Sequence, residues 1–212
     1  MGFLTGGPYY DLIGRTGNNV GRKVKGKNVF SMRPSKSSKQ PTTLQLDQRS
    51  KFGMVASWMS NALNIVQIGF QNYQSTGSAM NSAVKRALQT AVIGVSPNFN
   101  LDYSKVELSR GSLMGSRNWD VSSSATNEVQ ITWRNQVSSG KQKATDKLVI
   151  FAYSQFLRQF VELIGPVTRE TQSYDLTLPE EFSGQIIHLW IYFMSAEGDL
   201  VSNSQYTTIP VV

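Results

Sequence analysis

The sequence predicts an α+β fold in three parts. These are a basic N-terminal arm with a β-hairpin over residues 1–42, a helical hairpin over 43–94, and an antiparallel β-sandwich over 95–212. Three observations carry this reading. Apolar residues recur at steps of three and four between Leu44 and Val92, as on one face of a helix. Beyond Gly94 the period falls to two, as on a half-buried strand. Ahead of both lies a stretch rich in Gly, Ser, Pro and Lys that holds all of the excess positive charge.

The charge asymmetry is pronounced. Residues 1–51 carry ten basic side chains against two acids, Asp11 and Asp47, whereas residues 52–212 carry 11 basic and 12 acidic. The net charge of +7 therefore originates in the first quarter of the chain. A cluster of this kind points to an anionic partner. Its candidate contacts are Arg15, Arg22, Lys23, Lys25, Lys27, Arg33, Lys36 and Lys39. Lys and Arg neutralise phosphates, and Phe30 or the Tyr9–Tyr10 pair could stack on bases. The same arm could instead clasp a neighbouring copy of the chain. Within it, NVGRKV and NVFSMR flank Lys25-Gly26-Lys27 and predict a two-stranded hairpin with a glycine-bearing turn at Gly26. MRPSKSSKQPTT follows as an extended linker, because Pro34 and Pro41 oppose helix.

From Leu44 to about Tyr73 the spacing predicts one long helix with Phe52, Val55, Met59, Ala62, Leu63, Val66 and Phe70 on a single stripe. Arg49 and Phe52, on its first turns, are candidates for anchoring the arm. A second helix is predicted over Ser78–Val92, with Met80, Ala83, Val84, Leu88 and Val92 inward. Neither helix can bury its stripe alone.

Seven segments then read as strands: VELSRG, EVQITWRN, DKLVIFAYSQ, QFVELIG, SYDLTLP, QIIHLWIYFMS and SQYTTIPVV. EVQITWRN and SYDLTLP alternate apolar and polar residues, so each buries one face. Gln185–Met194 is apolar on both faces and requires cover on its outer side. The helices are the expected cover, which makes sandwich and helices one composite unit.

Two resemblances attach to these residues. Trp133 on an early strand, Leu178–Pro179 before the penultimate strand, and the hairpin SAEGDLVSNS resemble features of fibronectin type III and immunoglobulin-like modules over Leu101–Val212. The second covers nearly the whole chain. Gly21, Lys25–Gly26, Arg33–Pro34 and the helix opening Gln45-Leu46-Asp47-Gln48-Arg49-Ser50-Lys51-Phe52 resemble a Bacteroidota family catalogued as a domain of unknown function. That family implies no activity. Small basic-armed proteins of similar build occur among phage and prophage structural components.

The residues that carry chemistry are sparse. With no cysteine, disulfides, thiolate catalysis and cysteine zinc sites are excluded. His188 is the only histidine, and no signature places a nucleophile or carboxylate beside it; it reads as a hydrogen-bonded residue on a strand face. Glu180–Glu181 is the only adjacent carboxylate pair and reads as a solvated turn. Gly26–Lys27 and Gly140–Lys141 lack the Ser/Thr of a phosphate-binding loop. No catalytic residue, metal site or cofactor is therefore expected. The start MGFLTGGPYYDLIGR lacks a signal-peptide pattern, and Met54–Phe70 is too interrupted by polar residues to span a membrane.

These features predict a non-enzymatic structural or assembly protein, placed in the cytoplasm or in an assembled particle. Its basic arm would contact nucleic acid, another polyanion or a neighbouring subunit. The alternative is an extracytoplasmic module that binds glycan or protein through the sandwich loops, with Trp119 and Tyr153 as exposed platforms.

Overall fold

The structure is a computed structural model that describes residues 2–35, 38–73, 77–135 and 140–212. The chain divides into two compact units, Met1–Thr42 and Thr43–Val212.

The first unit is a four-stranded antiparallel sheet. Its strands are β1 (Gly2–Leu4), β2 (Gly14–Thr16), β3 (Asn19–Val24) and β4 (Lys27–Met32), in the order β1-β4-β3-β2. β3 and β4 form the expected hairpin. Their two-residue turn, Lys25–Gly26, has positive φ at both positions (50° and 77°), and its twist suits the flanking strands. The outer strands were not legible, because three residues are too few to show a period. The β1–β2 connection crosses one face of the sheet. A Cβ on Gly21 would collide with the backbone carbonyl of Leu12, so only glycine admits this crossing. On the same connection, the Tyr9 ring stacks on Phe30 at 6.1 Å between centroids.

The second unit opens with α1 (Thr43–Asn61), α2 (Leu63–Gly69) and α3 (Ala79–Thr90). The expected single helix over Leu44–Tyr73 is thus two helices. Ala62 leaves helical geometry (φ −103°, ψ 24°) and its N–H bonds back only three residues, to Met59. The break re-aims the stripe: Ile65 and Val66 are both buried, and Leu63 is exposed. Phe52, expected inside, is 56% exposed, while Trp58 is buried. α3 is capped by Ser78, whose Oγ accepts from the Asn81 N–H at 3.2 Å. Its buried contacts are Ala79, Ala83, Val84 and Ala87. A short hairpin, β5 (Val92–Val95) with β6 (Asn98–Leu101), follows.

The sandwich comprises β7 (Arg117–Ala125), β8 (Glu128–Arg134), β9 (Lys147–Ser154), β10 (Gln159–Thr168), β11 (Ser173–Thr177), β12 (Ile186–Met194) and β13 (Gln205–Pro210). A three-stranded sheet, β11-β8-β7, faces a four-stranded sheet, β10-β9-β12-β13, and every pairing within them is antiparallel. Val129, Ile131 and Trp133 of β8 meet Leu148, Ile150, Leu189 and Ile191 of the larger sheet in one core. Six of the expected segments are strands. VELSRG is not. Residues 106–111 run instead between α2 and residues 202–204, where Arg110 N–H donates to Gly69 at 2.9 Å and Ser204 N–H to Ser109 at 3.0 Å. Its place is taken by β7, a run whose only large apolar residues are Trp119 and Val121.

β12 is buried on both faces as its sequence requires. Ile187, Leu189, Ile191 and Phe193 face the other sheet, whereas Trp190 and Tyr192 pack with Trp58, Ile65 and Val66 of the helices. The unit is therefore three layers deep: helices, four-stranded sheet, three-stranded sheet. Among the described residues, no helix is long and apolar enough to cross a membrane.

Candidate functional site

The first unit concentrates the charge of the chain. Residues 1–42 hold eight basic side chains and one acid, Asp11, so the unit carries the whole net charge of +7; residues 43–212 hold 13 of each sign and sum to zero. One carboxylate cannot neutralise eight cations. Strand register distributes them. Arg15 lies opposite Val20, Arg22 opposite Val29, and Lys27 opposite Val24, which puts all three on one face of the sheet. Lys23 lies on the other face, opposite Asn28. Lys25 sits in the turn, and Arg33 and Lys39 lie beyond β4; all are exposed. Lys36 falls outside the described residues. The Lys27 ammonium lies 5.5 Å from the centre of the Phe3 ring. Phe3, Tyr10 and Lys27 line a concavity of about 370 Å³. Tyr10 and Phe3 are thus the aromatic rings placed beside a cation here, while Tyr9 and Phe30 stack on one another.

A second surface lies between α1 and α3 and includes Phe52, one of the two residues singled out on the first helix. Phe52 and Ala56 of α1 face Met80, Val84 and Leu88 of α3 across a groove of about 490 Å³. Its lining is mostly carbon. Lys85 stands on the α3 side, whereas Arg49, three residues before Phe52 on α1, is not part of the lining. Both cations are exposed.

His188 is where a strand-face reading put it. Its Nδ1 lies 2.7 Å from the Tyr206 hydroxyl and its ring 4.4 Å from that of Tyr103. Burial holds its pKa below the ordinary value. No carboxylate contacts it in the hydrogen bonds and ring contacts it makes. Glu180 and Glu181 are exposed on a single 3-10 turn. Tyr153 is no exposed platform: it is 5% exposed, packed against Trp58 and Tyr103. Trp119 is half-buried and packs on the sandwich core. Among the described residues no three His, Cys, Asp or Glu side chains cluster as metal ligands do.

Fold and surfaces together define a sandwich protein with a helical layer and a separate basic sheet. It belongs to the family described as "Family of unknown function (DUF6266)", whose model matches residues 11–208. No curated protein matches the chain. Among solved structures it is similar to the fn3 domain of human collagen alpha-1(XX) chain, at 10% identity and a TM-score of 0.37, over 47% of this chain and 85% of that one. It is also similar to the chicken CNTN1 FN1–FN3 domains, at 11% identity and a TM-score of 0.33, over 48% of this chain and 32% of that one.

Proposed function

We propose that the protein is a non-enzymatic structural or assembly component whose N-terminal sheet contacts a polyanion. One observation carries this reading: the entire net charge of +7 sits on a compact 42-residue unit, while the remaining 170 residues are electrically balanced. A charge imbalance held on a folded sheet resists dispersal by chain motion and presents several cations at once. Polyanions answer such a surface because each contact releases condensed counterions. The Phe3, Tyr10 and Lys27 concavity favours nucleic acid among polyanions, since single-strand binders pair cations with stacking rings. Placement in the cytoplasm or in an assembled particle belongs to the same proposal, as do an origin in Bacteroidota and a phage or prophage role, which rest on the resemblance alone.

The test is a salt titration. The full chain is titrated with single-stranded DNA, RNA and heparin between 50 and 300 mM salt. Binding that weakens steeply with salt, and weakens uniformly on Lys23→Glu plus Lys27→Glu, supports the reading. No binding, or binding flat in salt, removes it and leaves contact with a neighbouring subunit as the role of the unit.

A further inference from the structure

We infer that the groove between α1 and α3 is a docking site for an acidic amphipathic helix of a partner protein. This goes beyond the charge-based reading above and uses a different unit of the chain. The floor is apolar: Phe52, Ala56, Met80, Val84 and Leu88. Phe52 is 56% exposed. An apolar groove left this open on an otherwise well-packed helical layer marks an interaction surface.

The walls decide the form of the occupant. Both are helices, whose backbone N–H and C=O groups are satisfied internally, so the groove offers side chains only. An extended peptide lying there would bury its own backbone groups without partners. A helix brings those groups already paired and presents apolar anchors at i, i+3 or i+4, and i+7. Met80 to Leu88 spans about 12 Å at 1.5 Å per residue, or two turns, which matches three such anchors.

The rim decides its charge. Lys85 stands on the α3 side of the rim, Asn81 and Gln89 are uncharged, and no carboxylate lines the groove. The helical layer's own acid, Asp47, accepts a hydrogen bond from Ser96 at 2.7 Å. A partner with Glu or Asp beside its apolar anchors complements Lys85. A second copy of this chain does not, because its groove brings another Lys85 and no carboxylate to the pairing.

The probes are two 18-residue helical peptides with the same leucine face, one flanked by Glu and the other by Lys, and fluorescence anisotropy with the full chain reads their binding. The Glu peptide is expected to bind at least ten-fold more tightly than the Lys peptide. Phe52→Asp should weaken it at least ten-fold. Lys85→Glu should reverse the preference; Phe52 and Lys85 are both exposed, so folding is preserved. Equal binding of the two peptides, or no binding of either, overturns the inference. So does Glu-peptide binding that survives Phe52→Asp but is lost on Lys23→Glu plus Lys27→Glu, since that traces it to the N-terminal unit. Self-association that Phe52→Asp abolishes, without peptide binding, would assign the groove to a second copy instead.

Discussion

The Tyr192 hydroxyl donates a hydrogen bond to the backbone carbonyl of Ile65 at 2.9 Å, joining the central strand of the sandwich to α2 across 127 residues of sequence. Trp190, two residues earlier on the same face, donates from Nε1 to Val106 at 3.0 Å. Both side chains are buried, so these donors need partners inside the protein. Together they fix where α2 and the start of the 106–111 segment lie over β12. Removing the Tyr192 hydroxyl is expected to cost about 1–2 kcal/mol, because ring packing is retained and only the bond is lost. Chemical unfolding of Tyr192→Phe measures it, with an unchanged denaturant slope if the layers still unfold as one.

Asp146 and Arg169 form a buried ion pair. Arg169 Nε meets Asp146 Oδ2 at 3.1 Å, with side chains 2% and 0% exposed. The guanidinium also lies 3.9 Å from the centre of the Phe193 ring and donates to the Met114 carbonyl at 2.8 Å. Asp146→Ala strands a buried cation and is expected to destabilise the protein by about 3–5 kcal/mol. Replacing both partners with apolar residues of similar volume should cost less than either single change, which a double-mutant cycle in urea will show.

Gly69, at the end of α2, has the 106–111 segment lying on it. A Cβ there would press into the Leu108 carbonyl and Ser109, while the Gly69 carbonyl accepts from the Arg110 N–H. Gly69→Ala is expected to cost about 1–3 kcal/mol by overpacking, despite alanine's better helix propensity. Thermal unfolding is the readout. A stabilised variant would show that the segment does not rest on this helix end.

Stability should fall on mild acidification through His188. Its folded pKa lies below the ordinary 6.5 because burial disfavours the charged ring. Between the folded value and 6.5 the unfolded chain binds more protons, so stability rises with pH across that interval. The contribution is complete above about 6.5 and is lost as pH falls. Comparing unfolding midpoints at pH 7.5 and 5.5 should show a larger drop for the native chain than for His188→Asn.

Removing residues 1–42 should leave a folded, cooperatively unfolding sandwich-and-helix unit of zero formal charge. Its circular dichroism should keep the helical signal of α1–α3, and its affinity for heparin should disappear. Retained heparin binding would move the polyanion site to the second unit.

Much of this was legible in the sequence, for local reasons. Period-two alternation in EVQITWRN and SYDLTLP marks strands because side chains of a strand alternate between faces whatever surrounds it. Lys25–Gly26 marks a hairpin because few residues tolerate positive φ. The apolar run of β12 demanded cover on both faces, and the helices supply it. The charge asymmetry is a property of composition alone. What tertiary structure decided were the places where neighbours outvote period. Phe52 fits the helical stripe, yet it lies on the open groove between α1 and α3, and burial passes to Trp58. VELSRG has the look of a strand, but its backbone bonds to Gly69 and Ser204 and its Ser109 hydroxyl to Ser202, contacts distant in sequence that no local pattern encodes. β7, nearly all polar, becomes a strand because β8 offers it an open edge. Sequence determined which residues must be covered. Packing alone determined what covers them, and left the groove beside Phe52 uncovered.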